Sequence, residues 1–342
     1  MNVGIVGLGK MGLLHAGVLN TLDDVQIVSV AEKDSLVTKH LKSVLPEINV
    51  YKDLEHMLDT ENLDLAYITT PVSSHLPLTL TSIKKGINFF IEKPLTRNLD
   101  ESKQICSELK NYNLIHSVGY NVRFLETFSN VKSLLDENVL GDIINVNSTM
   151  YVSNIFSKPS GWRFKKKISG GGVLLELGCH LVDLLLWYFG NITTVNGKTK
   201  TVYSEVEDFA HAEFEFENGI KGELDTSWSK EGYTIPEINL EIKGTNGVLK
   251  VNQDYIEMKF KNPVEKYKQS EVKIYKQELE KGVSFDVAGI DYTKEDIHLV
   301  DCVKNKKQTL VNVFEASKTQ SVMQAIYNSD SEKRSLPVDY ID

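Results

Sequence analysis

The chain has 342 residues, 41% hydrophobic and 25% charged, with 38 Lys and Arg against 47 Asp and Glu for a formal net charge of -9. That length suits two folded domains, each with its own apolar core. The acidic balance argues against a nucleic-acid partner, because the global field repels a phosphate backbone and the densest basic run, Lys165 to Lys167, reads as a short solvated loop.

The sequence reads as lacking an apolar run near the roughly 18 to 20 residues of a membrane span, so no membrane partner is expected. Its N-terminal MNVGIVGLGKMG enters a strand pattern at once, without the basic flank, apolar stretch and cleavage site of a signal peptide. Cys106, Cys179 and Cys302 are odd in number and far apart, with no zinc or disulfide spacing. A cytoplasmic protein with reduced thiols and no metal is expected.

The first 120 or so residues alternate β-branched runs with helical patterns, the pattern of a doubly wound parallel sheet. Strands are expected at residues 3–6, 25–31, 65–70, 88–92 and 114–120. Helices start near residues 11, 35, 74 and 99, and Gly86 is placed to stop one. After residue 122 strands follow one another with Asn-Gly punctuation. They are expected at 142–153, 192–203, 209–217, 220–228, 238–243 and 248–251, with helices at 174–189, 293–304 and 315–328 covering one face. The expected architecture is an α/β Rossmann domain over residues 1–122, then an α+β domain over 123–342 with an open, mostly antiparallel sheet.

Gly7-Leu8-Gly9-Lys10-Met11-Gly12 places GxGxxG directly after a strand and at the mouth of a helix. Gly7 serves the tight turn, Gly9 a close approach of backbone N–H groups to a pyrophosphate, and Gly12 close packing of helix on strand. Glu32, twenty residues after Gly12, ends the second apolar strand, where a carboxylate accepts from ribose hydroxyls and repels a 2′-phosphate. The pair predicts NAD in preference to NADP, although Lys33 leaves room for dual use. The competing reading of Glu32 is a solvated strand-end charge. Thr70 and Pro71 end a further strand at the sheet's carboxyl edge and wall the cofactor crevice; His75 either touches cofactor or caps the next helix.

Glu92-Lys93-Pro94 follows the strand at 88–92. A lysine there points into the cleft and can polarise a carbonyl or hold a hydroxyl, against the alternative of a surface lysine; Glu92 is its partner or a strand-end charge. Downstream of Gly170-Gly171-Gly172, Glu176, His180 and Asp183 stand at i, i+4 and i+7, on one face if the stretch is helical. Two readings compete: a buried, mutually satisfied polar set, or a histidine tuned by carboxylates that exchanges a hydroxyl proton.

Together GLGKMG with Glu32, TTPVSSH, FFIEKPL, GYNVRF, GWRF, the ELGCHLVD stretch and the tail YNSDSEKRSLPVD resemble the glucose-fructose oxidoreductase, inositol dehydrogenase and MocA (Gfo/Idh/MocA) family over essentially the whole chain. The resemblance reverses the bland readings of Lys93 and His180. It implies hydride transfer between NAD and a secondary alcohol or ketone of a sugar, polyol or nucleotide sugar. Lys93 would lie near the reacting oxygen, His180 would act as acid and base, and Asn121 and Arg123 would lie near the cleft. It also implies a cis peptide before Pro94 and a homodimer or homotetramer formed through the open sheet. Many relatives carry Asp where this chain has Glu176, which keeps a carboxylate in the site one methylene further out. Trp162 and Arg163 either line the substrate pocket or are a packing tryptophan beside a surface arginine. A non-catalytic NAD-binding sensor or corepressor, and a reductase of a non-sugar such as a tetrapyrrole or cyclic diol, remain as alternatives.

Overall fold

The computed structural model describes residues 1–264, 266–279, 282–283, 285–287 and 289–341. The chain divides into two compact units, Met1–Asn121 with Gly282–Ser317, and Val122–Lys281 with Lys318–Asp342.

The first unit opens with β1 (Asn2–Val6), α1 (Lys10–Leu19), β2 (Gln26–Ala31), α2 (Ser35–Val44), β3 (Asn49–Tyr51) and α3 (Leu54–Thr60). It continues through β4 (Leu65–Ile68), α4 (His75–Lys84), β5 (Asn88–Ile91), α5 (Leu99–Leu109) and β6 (His116–Val118). All six strands are parallel, in the order β3-β2-β1-β4-β5-β6. The connections reverse direction where β1 lies beside β4, and the carboxyl ends of those strands are where such sheets bind ligands. Local signals set the helices: Asp34, Asp53 and Asn98 each cap the helix that follows with a side-chain oxygen, and Gly86 at φ 71° ends α4. The three-residue β3 and the seven-residue α3 escape a sequence reading because neither is long enough to show a period.

The second unit carries α6 (Glu126–Asp136), β7 (Ile143–Tyr151), the short α7 (Lys166–Ser169), a π-helical turn over Leu174–Gly178, and α8 (Cys179–Phe189). There follow β8 (Ile192–Lys200), β9 (Phe209–Phe216), β10 (Lys221–Ser227), β11 (Glu237–Gly244), β12 (Gly247–Val251), β13 (Tyr255–Phe260), β14 (Glu271–Tyr275) and α9 (Lys276–Leu279). Its nine strands run β14-β13-β12-β11-β7-β10-β9-β8-β15, where β15 is Leu336–Pro337 near the chain end. Every neighbouring pair is antiparallel except β7 with β10. Strict alternation on β9 buries Ala210, Ala212, Phe214 and Phe216 on one face; the π-helical turn packs against β9 and β10, α8 against β7, and α6 against β12 and β13. Lys165 to Lys167, read as a loop, are exposed around the start of α7.

The chain then forms α10 (Ile290–Asn305) and α11 (Val313–Glu332). Here the structure departs from the expected division at residue 122, since α10 belongs to the first unit. Its Leu299, Val300 and Cys302 complete the cluster of Val3, Ile5, Leu19, Tyr67 and Phe90, and burial of that apolar stripe draws the helix back to the parallel sheet. The expectation about apolar runs is also corrected. The helical stretch Lys166–Phe189 is long and apolar enough to cross a membrane, but 89% of its most apolar window is buried inside the fold, as in a core helix. The three cysteines are free and buried.

Candidate active site

At the carboxyl end of β1 the chain turns at Gly7, whose φ of 90° lies in the left-handed region. A Cβ on Gly12, in the first turn of α1, would sit 2.0 Å from Gly7 O, so helix and turn pack with no space for a side chain. Nothing lies within 4 Å of where a Cβ on Gly9 would be. Gly9 is the N-cap of α1 and brings no side chain to cap that helix, which leaves the first-turn N–H groups without intrahelical partners beside exposed Lys10 and half-buried Met11. Thr69 locks the turn with its single hydroxyl proton, shared between Gly7 O at 2.7 Å and Val6 O at 3.0 Å.

Glu32 folds its carboxylate over the same turn: Oε2 accepts from Leu8 N at 2.7 Å and Oε1 from Asp34 N at 2.9 Å. Thr70, just beyond β4 and ahead of exposed Pro71, carries a buried Oγ1 with no hydrogen-bond partner among the described residues, a polar group of the kind a ligand satisfies. A tight glycine turn, an uncapped helix N-terminus, a carboxylate at the strand end and an orphaned hydroxyl together fit a dinucleotide.

His75 is the first residue of α4. It is buried, with Nε2 2.9 Å from Thr70 O and Nδ1 3.0 Å from Pro94 O. It therefore braces the loop after β4 against the loop after β5, and burial lowers its pKa. In that second loop Glu92 is buried, Lys93 is half-buried, and the Lys93–Pro94 peptide is cis. Asn121 is buried and donates to Asp291 of α10 through Nδ2. Burial raises the Asp291 pKa.

In the second unit Glu176 stands in the π-helical turn, and His180 and Asp183 stand in α8. Glu176 lies within the π-helical turn, where closure is i to i+5, so its angle to α8 differs from that of a continuous α-helix. Its Oε1 is 3.7 Å from Arg163 Nε, and the Arg163 guanidinium lies 5.6 Å from the ring centre of half-exposed Trp162. Asp183 is instead fully buried in a two-pronged pair with Arg123, at 2.7 Å for both bonds. Arg123, expected near the cleft, thus turns its guanidinium into the core, over the Trp187 ring at 5.2 Å. His180 is 6% exposed, in the first turn of α8.

Sequence reading missed the groups that hold this helix. Glu207 Oε1 accepts from Gly172 N at 2.8 Å, Leu174 N at 3.1 Å and Tyr327 Oη at 2.7 Å, capping the turn from outside. The glycine run follows: a Cβ on Gly171 would meet Tyr327 Oη at 2.2 Å, and one on Gly172 would meet Glu207 O at 2.2 Å. Glu207 lies in no recognisable motif and Tyr327 opens the YNSDSEKRSLPVD tail, but no spacing could have paired either with the glycines. His15 and Asp296 were missed as well; a lone histidine three residues after GxGxxG, inside an apolar helix, was the available signal.

Residues 1–120 match the model of an oxidoreductase family with an NAD-binding Rossmann fold. Residues 128–250 match a GFO/IDH/MocA C-terminal domain. The chain is 25% identical to scyllo-inositol 2-dehydrogenase (NAD(+)) of Bacillus subtilis, covering 98% of this chain and 94% of that protein. It is 24% identical to levoglucosan dehydrogenase of Pseudarthrobacter phenanthrenivorans, covering 74% of each. Among solved structures, levoglucosan dehydrogenase in complex with NADH superposes with a TM-score of 0.89 at 21% identity over the whole of both chains. An oxidoreductase from Agrobacterium radiobacter in complex with NAD+, L-tartaric acid and magnesium gives 0.84 at 18% identity, covering 99% of this chain and 98% of that one. The two structural likenesses establish the fold.

Proposed function

The chain belongs to the GFO/IDH/MocA oxidoreductase family, and from that premise we propose that it is an NAD-dependent dehydrogenase acting on a secondary alcohol of a sugar, polyol or nucleotide sugar. The carboxyl edge of the parallel sheet carries this reading. The glycine turn after β1, Thr69-Thr70-Pro71 after β4 and Glu92-Lys93-Pro94 after β5 stand at the ends of three neighbouring strands. Relatives named as inositol and levoglucosan dehydrogenases support a polyhydroxylated substrate.

NAD, when bound, supplies the nicotinamide carbon that takes or returns the hydride. The α1 N-terminus holds pyrophosphate charge with its N–H groups, Gly7, Gly9 and Gly12 admit the close approach, and Lys10, Met11, Thr70 and Pro71 line the same edge. Glu32 accepts from ribose hydroxyls and disfavours NADP. His180 takes the hydroxyl proton, and Lys93 stabilises the negative charge that develops on the oxygen; in reverse the same groups reduce a ketone. Glu176, Arg163 and Trp162 contact other substrate hydroxyls. Arg123, committed to Asp183, positions α8 and with it His180. We read the protein as cytoplasmic, consistent with three buried free thiols, and as a homodimer or homotetramer without nucleic-acid or membrane partners.

The test is NADH formation, followed by absorbance, with NAD and a panel of polyols, free sugars and nucleotide sugars. Turnover on at least one is expected, with Lys93→Met and His180→Ala each lowering kcat by about a hundredfold or more. Silence across the panel, with NAD binding shown calorimetrically, would favour a sensor or a non-sugar substrate.

A further inference from the structure

Behind the Glu92-Lys93-Pro94 turn the first unit buries a line of polar groups for which hydride transfer itself has no use. His15, in the middle of α1, is wholly buried. Its Nδ1 lies 2.9 and 3.0 Å from the two carboxylate oxygens of Asp296 on α10, and its Nε2 lies 3.1 Å from Glu92 Oε1. With a carboxylate on each ring nitrogen, the doubly protonated ring is the form that donates to both, and those carboxylates hold its pKa well above the ordinary value against the opposing effect of burial. Asp296 also accepts from Tyr67 Oη at 3.0 Å. The second oxygen of Glu92 accepts from Lys93 N at 3.0 Å, and glycine at 119 keeps space for it, since a Cβ there would lie 3.3 Å away. The Phe90 and Tyr67 rings pack on the imidazole, with centroids 4.7 and 5.4 Å distant.

A buried ionic set of this kind contributes little net stability compared with apolar side chains of the same volume, and its value lies in geometry. Here the geometry joins two working parts: α1 presents the phosphate-binding turn, and Glu92 carries the backbone N–H of Lys93. We propose that His15 is a positioning residue for Lys93, a buried cation anchored by Asp296 that fixes Glu92 and through it the direction of the lysine relative to the phosphate-binding helix. The inference rests on the dehydrogenase reading above.

The experiment is a double-mutant cycle on the full-length protein. His15→Gln and Asp296→Asn are measured alone and on a Lys93→Met background, with kcat, KM and NADH affinity by fluorescence. Displacing a reacting group by an ångström costs up to about a hundredfold, so each single variant is expected to lose about tenfold or more in kcat, with KM and NADH affinity moving less than about threefold. On the Lys93→Met background the further loss should vanish, because the group acted upon is gone. A merely structural role predicts lower thermal stability with kcat unchanged, or losses that multiply with Lys93→Met, and either result overturns the inference. Should His15→Gln fail to fold, Asp296→Asn carries the same criteria. Wild-type protein that binds NADH but turns over nothing in the panel overturns the dehydrogenase reading itself, an outcome distinct from an active wild type with an indifferent His15 variant.

Discussion

On the proposed reading, cofactor choice turns on the carboxylate of Glu32. Glu32 already accepts from Leu8 N and Asp34 N, so its negative charge is fixed beside the glycine turn, where a 2′-phosphate would meet like charge. Glu32→Ser removes that repulsion and should shift the ratio of kcat/KM for NADP over NAD by about tenfold or more, equal to roughly 1.4 kcal/mol. An unchanged ratio would remove Glu32 from cofactor discrimination. The turn at Gly7, the helix start at Gly9 and the strand end before Glu92 were legible because a positive φ, a helix N-terminus and a strand end are all written within a few residues. The pair of Arg123 with Asp183 was not legible because the partner is sixty residues away, and nothing in GYNVRF says whether the guanidinium faces solvent or core.

The helix that carries His180 depends on an element far along the chain. Glu207 supplies an acceptor to two N–H groups at its start and to Tyr327, although burial pushes the Glu207 pKa up against those donors. Glu207→Ala leaves the two buried N–H groups of Gly172 and Leu174 without their acceptor, and at about 1 to 3 kcal/mol for each it should cost roughly 2 to 6 kcal/mol in urea unfolding. Glu207→Gln retains a carbonyl acceptor and should cost less than half as much; equal losses would mean that the three bonds do not carry the stabilisation. The sequence spacing of Glu176, His180 and Asp183 predicted one face of one α-helix. The π-helical turn changed that, because where a helix widens is set by its contacts, here Glu207 and the close approach of Gly178 to Leu174 and Thr226, and not by residue period.

At the scale of the whole molecule, the segment Gly282–Ser317 closes the first unit along β6. Val118 N donates to Val311 O at 3.0 Å, and Val313 N donates to His116 Nδ1 at 3.1 Å. Burial lowers the His116 pKa from 6.5 to about 4, so the neutral ring that accepts from Val313 is favoured in the folded state. The unfolded chain takes up that proton first as pH falls, so this stability is fully present above pH 6.5 and is lost as pH falls towards about 4. The whole shift is worth about 3 kcal/mol at ~1.4 kcal/mol per unit. His116→Asn, which keeps an acceptor but does not titrate, should flatten the decline in urea-unfolding free energy between pH 7 and pH 4.5 by about 2 kcal/mol; an unaltered slope would show that His116 does not set it. By itself the sequence determined the alternation of strand and helix in the parallel-sheet unit apart from β3 and α3, the glycine turn, the Asn-Gly hairpins and the family resemblance, because strand period, helix caps and turn chemistry act over a few residues. Only the tertiary structure decided that α10 returns to the first unit, that Asp183 holds Arg123, and that His15, Glu92 and Asp296 share one buried line. Those pairings bring together groups up to 281 positions apart, and they are selected by which apolar faces bury each other and by the requirement that each buried charge find a counter-charge.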